Sequence, residues 1–170
     1  MAFAAVQPAH AQPVPSEATA QIVAQVTDAF FTQLVAEDFA TERGFLADSF
    51  AANLSAEDWQ DMRERVIART GATPLCRPHK LTFYQQQTLL AAVDYAGQAE
   101  QDGTFICGYV LWSFSSENSL GLTRFEQNIV EAEVLKEMEL PAAVELMTGW
   151  QCPPPLIEAL LNVTLQPDNQ

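Results

Sequence analysis

Positive charge is scarce in this chain. Eight Lys and Arg stand against 22 Asp and Glu in 170 residues, a formal net charge of -14. A surface of that sign repels phosphate backbones and anionic lipid, which excludes nucleic acid and a membrane surface as partners. Histidine is nearly absent (His10 and His79), and the three cysteines, Cys76, Cys107 and Cys152, lie far apart. That set is too small and scattered for zinc, and no C-x-x-C is present for thiol exchange. There is no D-x-D-x-D-G calcium loop, no glycine-rich phosphate loop and no G-x-S-x-G. Neither a metal nor a cofactor is expected. No apolar run reaches about eighteen residues, so no transmembrane helix is expected either.

What is present suits a packed domain. Hydrophobic residues make up 48% and charged residues 18%, enough apolar material for a core and too little charge for a disordered chain. The opening residues, MAFAAVQPAHAQPVPS, place Ala9-His10-Ala11 before Gln12, the small-x-small ending of a secretory signal. Residues 1–15 read as the remnant of such a signal or an extended lead-in, and the implied location is periplasmic or secreted. In an oxidising compartment three cysteines suggest one disulfide and one leftover thiol. Cys152 precedes Pro153-Pro154-Pro155 in a tail that a crosslink would tether, so Cys107–Cys152 ranks first and Cys76–Cys152 second. The alternative is three buried thiols packing as small hydrophobes.

Hydrophobic periodicity supplies the elements. Ser16 caps a helix whose apolar stripe is Ile22, Val26, Phe30 and Leu34, ending near Ala36. A second helical stretch covers Phe39 to Leu46. Ser55 opens a third helix, Ala56 to Thr70, with Asp58 completing a near capping box and Gly71 at its end. The period then falls to two. Strands are predicted over 80–87, Leu89–Gln98, Phe105–Phe114 and Leu120 to about Lys136. A proline-initiated helix follows at Pro141, then a last helical segment after the triple proline. The order predicts an α+β fold, with helices on one face of a curved four-stranded antiparallel sheet. Residues 16–137 form that domain and 138–170 a short carboxy-terminal extension packed on it.

The leading amphipathic helix, the segment FLADSFAANLSAEDW at 45–59, and the strands KLTFYQQQ, LLAAVDYAGQAEQDG, FICGYVLWSF and LGLTRFEQNIVEAEV together resemble the nuclear transport factor 2-like (cystatin-like α+β cone) superfamily. The resemblance covers residues 16 to 137 and brings no catalytic signature. It implies a hydrophobic cavity between sheet and helices, and frequent homodimers formed through the sheet. Candidate lining residues are Phe30, Leu34, Phe50, Trp59, Phe83, Tyr95 and Trp112. In enzymes of the superfamily a cavity carboxylate and a tyrosine act as base and donor, which here points to Asp94 with Tyr84 or Tyr109. Asp94 and Tyr95, being adjacent on a strand, face opposite sides.

The competing readings are a non-catalytic module binding a small apolar molecule or a protein partner, an enzyme built on Asp94, and a structural homodimer with its cavity packed shut. Five of the eight cations, Arg63, Arg65, Arg69, Arg77 and Lys80, fall in one stretch. They form either a basic patch for an acidic ligand or helix-surface partners for nearby acids such as Asp58 and Asp61. Trp150 closes the cavity or packs at a dimer interface.

Overall fold

The computed structural model describes residues 15–99, 103–115 and 119–164, with side chains described as far as Leu160. The signal-like segment and the last six residues lie outside it. The described chain is α+β. Four helices, α1 (Glu17–Ala36), α2 (Phe39–Arg43), α3 (Asp48–Ala51) and α4 (Ala56–Thr70), precede an antiparallel sheet. Its strands β1 (Leu75–Gln85), β2 (Leu89–Gln98), β3 (Thr104–Phe114) and β4 (Leu120–Glu131) pair in chain order. Helices α5 (Ala132–Lys136), α6 (Leu140–Gly149) and α7 (Pro154–Thr164) follow.

Local chemistry explains most boundaries. The Ser16 hydroxyl accepts from Thr19 N at the start of α1. At α4, Ser55 Oγ accepts from Asp58 N at 3.0 Å while Asp58 Oδ2 accepts from Ser55 N at 3.3 Å, a complete capping box with Asp in the third position. Gly71, with φ at 81°, ends that helix.

The differences from expectation have physical causes. Helix α2 stops at Arg43, short of Leu46, because Leu122 on β4 captures the next residues. Leu122 N donates to Phe45 O and Leu122 O accepts from Ala47 N, making a short parallel bridge. Strand β1 begins at Leu75 because Cys76 and Arg77 find partners in Gly97 and Ala96. Pro78 is tolerated there because β1 is an edge strand and its register shifts between Pro78 and Lys80. Strand β4 ends at Glu131, opposite Thr104, the first residue of β3. Beyond it no strand among the described residues pairs with β4, so the alternation through Ala132 and Val134 resolves into α5 and leaves Val134 half exposed. The apolar stripe of α1 is also rotated. Val23, Thr27, Phe30, Phe31 and Leu34 are buried and Ile22 is exposed. Every fourth residue drifts about 40° around a helix of 3.6 residues per turn, so a strict four-residue stripe winds off the buried face.

Both faces of the sheet are covered, by different elements. Val93, Tyr95, Ile106, Val110 and Trp112 pack with α1, α2 and α4 in the main core. Their strand neighbours Ala96 and Cys107 point the other way, into a second core with Val130, Leu135, Ala143, Met147 and Leu160. The carboxy-terminal helices therefore lie on the outer face, opposite α1–α4.

Of the glycines that packing requires, Gly108 is the most tightly enclosed. Tyr95 lies opposite Gly108 and reaches past it to β4, where its hydroxyl donates to Glu126 O at 2.8 Å. At Gly108 φ is 155°, and a Cβ there would overlap the Glu126 carbonyl oxygen. Gly108→Ala is expected to cost about 2–4 kcal/mol from strain and overpacking. Gly149→Ala, which meets nothing within 4 Å, is expected to stay within about 0.5 kcal/mol of the parent. Urea unfolding of the two variants checks the contrast, and equal effects would refute it.

Candidate functional site

The residues expected to line an inner cavity lie together, in contact. Phe30, Leu34, Trp59, Tyr95 and Trp112 are each 1% exposed or less, and Phe50 and Phe83 pack against them partly buried. Phe30 meets Trp112 edge-on with centroids 5.8 Å apart and Phe125 at 5.3 Å. Their polar tips are satisfied. Trp112 Nε1 donates to Thr27 Oγ1 at 2.9 Å, and Trp59 Nε1 donates to Glu42 Oε2 at 2.9 Å. The pockets described below are lined by other residues.

Beneath that aromatic layer sits a buried ion pair. Glu42 and Arg63 are both 0% exposed, with Arg63 Nε donating to Glu42 Oε2 at 2.9 Å. Arg63 Nη2 also donates to Thr73 Oγ1 and to Leu34 O. Burial pushes the Glu42 carboxyl above its ordinary range, and the Arg63 charge together with the Trp59 and Arg63 hydrogen bonds opposes that push. The free thiol Cys76 is buried close by and is pushed up to about 12 by desolvation, which makes it unreactive near neutrality. Arg63 is thus neither part of a surface patch nor paired with Asp58 or Asp61. Its partner lies on α2, far along the chain.

The outer face carries the open site. Asp94 on β2 stands opposite Lys80 on β1 and Tyr109 on β3, and Tyr84 lies further along β1, opposite Leu90. Burial raises the Asp94 carboxyl above its ordinary range, and Lys80 pulls it back. Burial likewise raises the Tyr109 phenol, with the Arg124 guanidinium 5.4 Å above its ring acting against it. Asp94 and Tyr84 share a pocket of about 620 Å³ with His79, Lys80 and Thr82, and Tyr109 is not part of its wall. The opposite wall is the α6–α7 connection: Thr148, Gln151, Cys152 and Pro153 to Pro155. No hydrogen bond joins Asp94 to a tyrosine hydroxyl among the described residues.

This wall is anchored covalently. Cys152 is joined to Cys107 on β3 in a disulfide, with Cα atoms 5.1 Å apart. Pro154 and Pro155 open α7, where missing backbone donors cost nothing. A second pocket of about 430 Å³ abuts the first, sharing His79 and Pro155 and adding Arg77, Ala96, Phe105 and Leu156. The two form one groove between the β1–β2 edge of the sheet and the anchored arm. Thr148, Gln151 and the prolines were not foreseeable as wall residues. The available signal was the triple proline beside a half-cystine.

The expected basic stretch is dispersed. Arg69 pairs with Glu131 at 2.8 Å, and Arg65 and Arg69 border a shallow hollow with Trp150 on the β4 side. Arg77 and Lys80 lie on the groove. No group of three or more metal-ligating side chains occurs among the described residues. No described helix is long and apolar enough to cross a membrane, and the disulfide is compatible with an extracellular location.

No family model matches the chain, and no curated protein does. Among solved structures, Bd1075 from Bdellovibrio bacteriovorus is similar at 9% identity and a TM-score of 0.45, over 65% of this chain and 40% of that one. The chain thus spans about two fifths of that protein. Aln2 from a Streptomyces species is similar at 14% identity and a TM-score of 0.47, over 72% of this chain and 97% of that one.

Proposed function

We propose that the chain is a non-catalytic, small-ligand-binding module of the nuclear transport factor 2-like kind, periplasmic or secreted, and that its ligand site is the outer groove. The observation that carries this reading is the open pocket of about 620 Å³ between Asp94, Lys80 and Tyr84 and the disulfide-anchored arm, set against an inner face occupied by aromatic side chains in mutual contact. The domain is residues 16–137, and the extension after it supplies the second wall through Thr148 and Gln151 to Pro155. An enzymatic reading with Asp94 as base draws on the raised Asp94 carboxyl, but it needs a phenol or water placed to share the proton.

The test is native purification followed by mass spectrometry of small molecules released on unfolding, for the parent and for Thr82→Trp, which fills the pocket. The expected result is a released molecule that the variant lacks. A parent that releases nothing and is stabilised by no member of a metabolite panel would overturn the reading. So would a variant that retains the molecule. Turnover of a released molecule, abolished by Asp94→Asn, would replace the binding reading with the enzymatic one.

A further inference from the structure

We infer that the groove takes an amphiphile with one anionic head and an apolar tail, the head held by Arg77 and Lys80 and the tail lying along Ala96, Phe105 and Leu156. This deepens the proposed function and rests on it. Three observations carry it.

The first concerns how the chain uses its few cations. Arg63, Arg69, Arg124 and Lys136 are ion-paired, and Arg43 donates to the carbonyls of Ala51 and Leu54. With acids in nearly threefold excess, a positive side chain without a carboxylate in contact is unusual. Of the remaining three, none is within ion-pair distance of a carboxylate among the described residues: Arg65 borders the hollow beside Trp150, and Arg77 and Lys80 both line the groove.

The second is the field they face. Asp94, opposite Lys80, is the carboxylate among the groove-lining residues, and it is half-buried on the sheet. His79 stands between the two cations and belongs to both pockets. Two full positive charges therefore meet one carboxylate. On a chain with a net charge of -14, such a local excess of positive charge favours an anion.

The third is the floor. Beyond Arg77 the groove wall turns apolar, with Ala96, Phe105, Pro155, Leu156 and the exposed Leu75. A small hydrophilic anion would leave these uncovered, and a neutral hydrocarbon would leave two cations with Asp94 as their one counter-charge in the groove. An amphiphile answers both.

Calorimetric titration of the intact, disulfide-bonded protein tests this, using decanoate, decyl phosphate, decyltrimethylammonium and butyrate, each below its micelle concentration. Decanoate or decyl phosphate is expected to bind about tenfold or more tightly than decyltrimethylammonium, and butyrate more weakly than decanoate. Preference between the first two distinguishes a carboxylate head from a phosphorylated one, and either supports the assignment. Arg77→Gln and Lys80→Gln are each expected to weaken the anion about three- to fivefold without changing the cationic probe. Equal binding of the anionic and cationic probes would remove the anion assignment and leave the groove as a ligand site. Equal binding of butyrate and decanoate would remove the tail. If none of the four binds, while native purification still releases a molecule that Thr82→Trp lacks, the amphiphile assignment falls alone. If none binds and nothing is released, both readings fall.

Discussion

Arg63→Met is expected to destabilise the fold by about 3–5 kcal/mol near neutral pH, because it strands a carboxylate in the core. Glu42 is 0% exposed, and Arg63 is its counter-charge at 2.9 Å, leaving the Trp59 indole N–H as the sole partner of Glu42 Oε2. The effect should depend on pH in a defined direction. Burial already raises the Glu42 carboxyl, and removing Arg63 removes the charge that opposes the rise. A carboxyl raised in the folded state holds its proton there after the unfolded chain has released it. Stability from that group is therefore fully present below the unfolded value of about 4.3 and is lost as pH climbs through the folded value. The difference between variant and parent should shrink near about pH 4 and be largest near about pH 7. Replacing both partners, as Arg63→Met with Glu42→Leu, is expected to recover much of the loss, since an apolar pair of similar volume leaves no orphan charge. Urea unfolding at both pH values measures all three. A loss under about 1 kcal/mol, or one that ignores pH, would show that Glu42 is neutral in the folded protein.

Opening the Cys107–Cys152 disulfide is expected to cost about 4 kcal/mol, the loop-closure entropy for half-cystines separated by 45 residues. The double variant Cys107→Ala/Cys152→Ala is the cleaner form, since it leaves no new thiol in the second core. The loss should be uneven. Hydrogen exchange should quicken in α6 and α7, which the bond anchors to the sheet, and change little in α1, β2 and β3. Ligand affinity should fall with it, because Cys152 and the prolines after it form one wall of the groove. Cys76 should be alkylated only after unfolding, since it is buried and its thiol is pushed up to about 12, whereas Cys107 and Cys152, buried to the same degree, should become reactive only as far as reduction loosens α6 and α7 from the sheet. An unchanged unfolding midpoint under reductant would refute the anchoring role.

The elements were legible wherever local chemistry decides them. Ser16, the Ser55–Asp58 box and Gly71 set α1 and α4 through bonds made within one turn. The change of period after Gly71 announced the sheet. Boundaries slipped where a distant partner intervened: Leu122 unwound the end of the second helix, and β4 stopped where β3 had no residue left to offer. The candidate site was legible in pieces. Alternation separated Asp94 from Tyr95, and the structure places Tyr95 in the core and Asp94 on the groove. The wall facing Asp94 comes from residues more than fifty positions away, and no periodicity carries that information.

The amino-acid order alone determined the α+β class, the capped helices and the antiparallel meander, because hydrogen bonds and side-chain alternation act over a few residues. Tertiary structure decided the rest. It chose which face of the sheet the last helices cover, it buried Arg63 against Glu42, and it set Arg77 and Lys80 beside an apolar floor. Those outcomes depend on which surfaces meet when distant segments pack, and burial and charge pairing exist only once they have met.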